Sequence, residues 1–499
     1  MSRPRQDLKI LMVTAEAAPL AKTGGLGDVL GALPAELRRT GLDVRIIMPL
    51  YKRIKDQYRD RLRFRRWSMI KLGWRTLYSG LLSLDLDGVP VYFIDNEYYF
   101  GYDAIYLDDH FDIERFSFFQ RAVLDALGEP MDFTPDVLHL HDWHTGMIPC
   151  LLEAHFRPYG HGLNIRTVLT IHNLKFQGFS GPERIADLMD LPDRFLTESG
   201  ILQAGLANFM KAGIVFADRV TAVSPGYAQE IMTDAYGEGL NQVLQAQAHK
   251  VSGLLNGIDT AEYDPARDGM IPAQYSLESW QSGKRACKAA LQAQLGLAPD
   301  PDALLAGMVT RLTDQKGLGL VLEILDRLLA EGLQLAILGS GEARYEQALA
   351  AAAGRYPGQL AVRIAFDNTL ARRIYAGSDL FLMPSLFEPC GLSQMIAMRY
   401  GALPVVRATG GLKDTVAGFD PAAASGAGSS AVTVAATGFS FDNIDADEFL
   451  RAIRTAGGVY RNNRPLWQKL TENAMSGDYS WDRSAGAYRE LYRNLAGRA

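Results

Sequence analysis

The stretch "LMPSLFEPCGLSQMIAMRYGALPVV" runs from Leu382 to Val406, and its reading decides the fold. Leu382 and Met383 close a strand, Gly391 to Tyr400 carry a helix that Gly401 ends, and Leu403 to Val406 form the next strand. A helix N-terminus presents unpaired N–H groups and a partial positive charge, which makes it a ready phosphate site. Yet a carboxylate, Glu388, stands just ahead of it. One reading is electrostatic: an acid near a helix start gains about 0.3–1 kcal/mol from the dipole and caps an orphan N–H. The other is that the amides hold a phosphate while Glu388 addresses a sugar hydroxyl of the same ligand.

The same pattern opens the chain. Ile10 to Val13 form a strand, "AKTGGLGD" a glycine-rich turn, and Val29, Leu30, Leu33 and Leu37 an apolar helical stripe that Gly41 ends before the strand Val44 to Met48. "DVLHLHDW", "RTVLTIHN", "DRVTAVS" and "VSGLLNGID" add short apolar runs with polar residues clustered after them. Parallel strands read this way, with ligand groups at their carboxyl ends. The pattern restarts in "LLAGMVTRLTDQKG", "LQLAILGSGE", "LAVRIAFD", "DLFLMPSLFE" and "ALPVVRAT".

A chain of 499 residues exceeds one typical core, so two domains are expected. A turn-rich segment over residues 259–303 marks the change, which gives a first Rossmann-like domain over 1–258 and a second over 259–480. Trp481, Ala485, Tyr488, Tyr492 and Leu495 line one face of a terminal helix, 481–499, expected to pack back on the first domain. The Ala/Ser/Gly tract Pro421 to Gly438 reads as a mobile surface loop. The expected fold class is α/β, with two doubly wound domains facing a deep cleft that serves as the ligand site.

A net charge of −6 supplies no electrostatic footprint for nucleic acid or an anionic membrane, and the short cluster Arg63 to Arg66 reads as a solvated face. Cys150, Cys287 and Cys390 form no CxxC pair, which points to a reducing compartment. The N-terminal "MSRPRQDLKILMVTAEAAPLA" imitates an export signal, but its apolar run carries Lys9 and ends at Glu16, so it suits a first buried strand. No apolar run approaches the roughly 18 residues that span a bilayer. A cytoplasmic protein is expected.

Among the motifs, "KTGGLGD" (Lys22 to Asp28) is neither a Walker A loop nor a dinucleotide fingerprint. It is either a tight turn with a surface lysine or a loop where Lys22 and exposed backbone meet a ligand. "TRLTDQKG" places Arg311 at a strand end and Lys316 in the loop after it. Such a pair is often a solvated face, but two cations there also neutralise a diphosphate leaving group without a metal. Gly339 and Gly341 in "LGSGE" make a nucleotide-edge turn. "HLHDWH" invites a metal reading, yet no downstream His/Glu pair has suitable spacing. Asp142, His144, His172 and Asn173 read better as hydrogen-bonding groups for a many-hydroxyl ligand, whereas His139 and His155 suit local backbone partners. The Asp85/Asp87 pair, in an alternating strand, and Asp445/Asp447, at a helix start, read as structural. No metal and no cofactor is expected.

Together "KTGGLGDV", "HLHDWHTG", "TIHNLKFQG", "AVSPGYAQEI", "LLNGIDT", "TRLTDQKGL", "SLFEPCGLSQ", "RATGGLKDTV" and "YSWDRSAGAY" resemble, in order and nearly end to end, the bacterial glycogen synthases and related starch synthases. These are retaining glucosyltransferases of the two-Rossmann-domain, GT-B type. The resemblance implies ADP-glucose as donor and the nonreducing end of an α-1,4-glucan as acceptor. By the same resemblance, Lys22, Gly24 and Gly25 contact the diphosphate region, and Arg311 and Lys316 stabilise departing ADP. Cys390, Gly391, Leu392 and Ser393 lie near the transferred glucose and phosphates, with Asn256 and Gly339 also in the substrate-binding set. Asp142, His172 and Asn173 hold the glucose, and Glu388 matches the site glutamate. Related transferases often carry a second glutamate eight positions later; Ile396 stands there, as a non-acidic residue does in the bacterial branch. The competing readings are a glucan phosphorylase, which requires a pyridoxal phosphate lysine, and an idle glucan-binding protein.

Overall fold

The computed structural model describes residues 8–162, 164–421 and 435–497. The chain divides into two units, one running to Asn256 and resuming at Trp481, the other Gly257–Ser480. The strands of the first unit are β1 (Lys9–Val13), β2 (Asp43–Pro49), β3 (Arg63–Leu72), β4 (Arg75–Leu86), β5 (Val89–Asp95), β6 (Val137–His141), β7 (Arg166–Ile171), β8 (Phe179–Ser180), β9 (Leu202–Gln203), β10 (Leu206–Asn208), β11 (Arg219–Ala222) and β12 (Val251–Gly253). Among the described residues they build a nine-stranded sheet in the order β12-β11-β7-β6-β1-β2-β5-β4-β3, with β8, β10 and β9 as a small sheet of their own. From β12 through β5 neighbours run parallel, and β4 and β3 complete the sheet antiparallel.

The second unit contains β13 (Leu305–Val309), β14 (Gln334–Gly339), β15 (Leu360–Ile364), β16 (Leu380–Met383), β17 (Leu403–Arg407) and β18 (Phe439–Phe441). They form a six-stranded parallel sheet in the order β15-β14-β13-β16-β17-β18. Continuous apolar runs suit strands covered on both faces, and β6 and β17 are buried at every position. Strand order reverses between β1 and β6 in the first unit and between β13 and β16 in the second. In open α/β sheets ligand groups gather at the carboxyl ends of the strands at such a reversal.

The expected helical stripe is present: Val29, Leu30, Leu33 and Leu37 are buried on the helix Gly25–Arg39. The terminal helix Trp481–Leu495 packs against that helix within the first unit, burying Trp481, Ala485, Tyr488 and Tyr492. The apolar run that imitates an export signal is β1 and its approach, buried from Leu8. Arg63 to Arg66 lie exposed on the edge strand β3. Among the described residues no helix is long and apolar enough to cross a membrane. The tract read as a mobile loop, Pro421 to Gly438, lies largely outside the described residues.

Two local readings change. The helix of the opening stretch is Ser393–Arg399, beginning two positions after Gly391. Gly391 is left-handed, with φ +70°, and a Cβ there would meet Gln394 Oε1 at 2.5 Å and Glu388 Cγ at 3.1 Å. The chain therefore turns sharply at glycine before the helix can start. Asp87 leaves the strand: with φ +51° it sits in the turn from β4 to β5, where Gly88 N–H donates to Asp85 Oδ1 at 2.9 Å.

Candidate active site

In the second unit the reversal of strand order brings the loop after β13 beside the loop after β16. Lys316 Nζ donates to Glu388 Oε2 at 2.5 Å across 72 residues of sequence, and Ser385 Oγ donates to the same oxygen at 3.0 Å. Glu388 is only 6% exposed. A buried carboxylate needs such partners, because an unpaired one costs several kcal/mol. The helix that follows has no side-chain cap, and its N-cap is Leu392. Glu388 is therefore no helix cap: its carboxylate turns to Lys316 and Ser385, and its backbone carbonyl accepts from Gly411 N–H at 3.1 Å.

Backbone and side chain together lock the two loops. Leu386 N–H donates to Gln315 O at 2.8 Å, and Gln315 Nε2 donates to Phe387 O at 3.4 Å. Arg407, at the end of β17, donates through Nε to Ser385 O at 2.9 Å and also reaches Leu386 O. Gln394 Nε2 donates to Cys390 O at 3.1 Å and to Gly391 O at 2.9 Å, so the turn ahead of the helix is tied to the helix itself. Gly317 fits where a Cβ would lie 2.0 Å from Pro384 O, and Gly411 where it would lie 2.1 Å from Cys390 O. Arg311 approaches Gln315 Oε1 at 3.4 Å and is exposed. Gly339 ends β14 where a Cβ would fall 1.8 Å from Thr310 O, so its glycine is required by close backbone packing. Ile396 is buried on the short helix, which explains an apolar side chain there by packing.

In the first unit the ends of β1, β6 and β7 meet. Asp142, directly after β6, has φ +58°, and its Oδ1 accepts from the amides of His172 at 2.7 Å and Asn173 at 3.4 Å. Burial, with a contribution from Glu16 and against the two amides, pushes its carboxyl up to about 7. His172 Nε2 lies 3.0 Å from His141 Nδ1, and burial pushes His172 down to about 3. His144 and His139 are likewise pushed down to about 3 by burial. The cluster offers neutral imidazoles, hydrogen-bonding groups rather than cations.

The histidines that suggested a metal have other partners. His139 bridges Thr170 Oγ1 at 2.6 Å and Tyr492 OH at 2.7 Å, side chains rather than the backbone expected for it, while His155 does take a backbone partner, Met189 O, at 2.9 Å. His144 stacks on Tyr106. Among the described residues no three His, Cys, Asp or Glu side chains group to hold a metal ion, and the three cysteines are free and buried. Among the candidate residues, His144 Nδ1 and Asn256 Oδ1 are buried polar atoms without a hydrogen-bond partner, as are His141 Nε2, Thr313 Oγ1 and Gln394 Oε1 near them in sequence; others of this kind lie elsewhere in the chain. Orphaned atoms of this kind are what a polar ligand or water satisfies.

Lys22 pairs with Asp28 on the glycine loop, and its side chain is 40% exposed. Gly24 and Gly25 have no atom within 4 Å of where a Cβ would stand, which leaves the Cα side of each open to approach, while the Gly24 amide is turned to Glu16. Sequence reasoning missed Glu16, Tyr106, Gln394 and Arg407. The available signal was positional, since Glu16 follows a strand end as Asp142 does, and a glutamine three residues after Gly391 suits a turn-to-helix tie.

Residues 9–246 match the family model described as starch synthase catalytic domain, and residues 294–474 match glycosyl transferases group 1. The chain is 46% identical to a glycogen synthase of Geobacillus thermodenitrificans over 98% of both chains. It is 45% identical to a glycogen synthase of Clostridium novyi over 98% of this chain and 99% of that one. Among solved structures, the catalytic domain of starch synthase IV from Arabidopsis thaliana, bound to ADP and acarbose, superposes with a TM-score of 0.88 at 35% identity, covering 99% of this chain and all of that one. Sucrose-phosphate synthase from Thermosynechococcus elongatus shares the fold, with a TM-score of 0.60 at 17% identity.

Proposed function

The chain belongs to the glycogen synthase family of glycosyltransferases, and from that premise we propose that it transfers glucose from ADP-glucose to the nonreducing end of an α-1,4-glucan with retention at the anomeric carbon. The observation that carries this reading is the Lys316–Glu388 pair at the strand-order reversal of the second unit. A carboxylate held by an ammonium keeps both charges in place in a poorly solvated turn. As the glycosidic bond of the donor breaks, negative charge grows on the departing ADP and positive charge on the sugar. Lys316 and Arg311 supply preorganised cations for the first, and Glu388 supplies an acceptor for sugar hydroxyls and for the second. The amides of Cys390, Gly391, Leu392 and Ser393 are assigned to the glucose and phosphates, and Gly339 to the nucleotide edge.

In the first unit, neutral His172 and the Asp142-held turn of Asn173 suit a glucose ring, which needs hydrogen bonds without net charge. Lys22, Gly24 and Gly25 are assigned to the diphosphate region and Asn256, with its orphaned Oδ1, to the substrate. No carboxylate stands out as a covalent nucleophile, so we favour departure and attack on one face of the sugar, with a phosphate oxygen helping to take the acceptor proton. The test is direct. Incubated with glycogen and ADP-glucose or UDP-glucose, the protein is expected to release ADP and lengthen chains; absence of both with either donor overturns the reading.

A further inference from the structure

Glu16 is 3% exposed and lies near enough to Asp142 to act on its charge. It follows β1 at the strand-order reversal, and four donors converge on its carboxylate. Thr23 Oγ1 donates to Oε1 at 2.7 Å and Tyr106 OH at 2.6 Å, while the amides of Thr23 and Gly24 donate to Oε2 at 2.6 and 3.3 Å. An acceptor-only group is the one side chain that satisfies four donors at once. The segment is also braced by backbone: Ala17 and Ala21 exchange hydrogen bonds at 2.9 Å, and Ala18 N–H donates to Gly27 O at 2.9 Å. The chain from Thr14 to Gly27 is therefore wrapped around one carboxylate.

This arrangement divides the amides of the glycine loop. Those of Thr23 and Gly24 point inward and are spent on Glu16. What the loop presents elsewhere is the half-exposed Lys22 side chain and the backbone from Gly25 on, where the helix Gly25–Arg39 begins without a side-chain cap. Tyr106 fixes the far side of the carboxylate. Its ring stacks on His144, with centroids 5.1 Å apart and planes at 24°, so the clamp spans from the loop after β1 to the turn after β6.

Building on the proposed transfer reaction, we propose that Glu16 is the positioning residue of the glycine loop: anchored by Tyr106, it fixes the Thr23 and Gly24 amides and thereby sets where Lys22 and the first helical turn meet the diphosphate of the donor. Glu16 touches no substrate itself; it acts through the loop. Its removal loosens donor binding more than it slows the chemical step.

The experiment compares Glu16→Ala, Glu16→Gln and Tyr106→Phe with the wild type in three readouts: donor KM and kcat at saturating glycogen, ADP affinity by calorimetry, and amide exchange of residues 17–30. Glu16→Ala is expected to raise donor KM and weaken ADP by roughly 10-fold to 100-fold, the scale of misplacing a binding group by about an ångström, with a smaller change in kcat. Its Thr23 and Gly24 amides exchange faster. Glu16→Gln rescues, because the amide nitrogen faces the two hydroxyls, which turn to accept, and the remaining oxygen keeps both backbone amides; KM stays within about threefold. Tyr106→Phe loses one donor of the four and falls between them. Wild-type ADP affinity and loop exchange in Glu16→Ala overturn the proposal, as does a Gln variant as impaired as the Ala variant. Should Glu16→Ala not fold, unchanged ADP affinity and loop exchange in Tyr106→Phe overturn it. A wild type that binds ADP but transfers no glucose refutes the proposed function alone, since affinity and exchange still report on the clamp.

Discussion

The two units place polar side chains at the same topological point and manage buried charge in opposite ways. In the first unit, Glu16 and Asp142 each hold a pair of consecutive backbone amides, and the neighbouring histidines are kept neutral by burial. In the second, a carboxylate and an ammonium are paired directly, Lys316 to Glu388. The difference lies in what each site survives. A backbone amide still finds an acceptor when a carboxylate becomes an amide side chain, whereas deleting one member of a buried ion pair strands the other.

The largest expected effect tests the ion pair. Lys316→Ala is expected to lower turnover by about 10²–10³, the scale for losing one preorganised charge stabiliser, while glucan affinity barely moves. It also leaves Glu388 buried without its cation, a loss of about 3–5 kcal/mol. Adding Glu388→Gln to Lys316→Ala is expected to recover much of the melting temperature and none of the turnover. Recovery of activity in the double variant breaks the distinction between the two units. Glu388→Gln alone sharpens it: turnover falls by an order of magnitude or more. ADP binds equally or more tightly, because Lys316 is released from its carboxylate. Calorimetry and ADP release measure the two halves, and normal turnover with collapsed ADP binding refutes the assignment of Glu388 to the sugar.

A smaller effect tests the first unit. Because burial lifts Asp142 from 3.8 to about 7, its contribution to stability is complete below pH 3.8 and is lost as pH rises through about 7. Asp142→Asn, which keeps an oxygen for the His172 and Asn173 amides, escapes that loss. Its melting temperature relative to wild type is expected to climb between pH 4 and pH 8 while transfer declines. A flat difference across that range shows that Asp142 titrates elsewhere. The smallest effect concerns metal: on the proposal that Lys316 and Arg311 meet the charge on ADP, thorough EDTA treatment is expected to leave most activity intact. Loss that magnesium or manganese restores places a divalent ion beside those cations.

Most of the elements could be read directly from residue order. Val29, Leu30, Leu33 and Leu37 recur at helical spacing, and Ile10 to Val13 or Leu403 to Val406 are unbroken enough for strands buried on both faces. The motif residues Asp142, His172, Lys316 and Glu388 stand out because polar groups follow apolar runs. Less visible were the short helix starting at Ser393 and the turn at Asp87. Gly391 is left-handed, and Gln394 and Glu388 leave no room there for a Cβ, a crowding that arises only once the turn is folded.

By itself the sequence determined many of the parallel strands and some of the helices beside them, that the pattern occurs twice, and which residues stand at the ends of those strands, because periodicity and turn chemistry act within a few residues of each other. The order of those strands was decided by the tertiary structure alone. Lys316 meets Glu388 because β13 and β16 are neighbours at a reversal, and Glu16 meets Tyr106 across 90 positions because the loop folds around a carboxylate. Partners so distant are chosen by which buried faces fit together and which polar groups would otherwise lose their water, a competition that no local stretch of residues records.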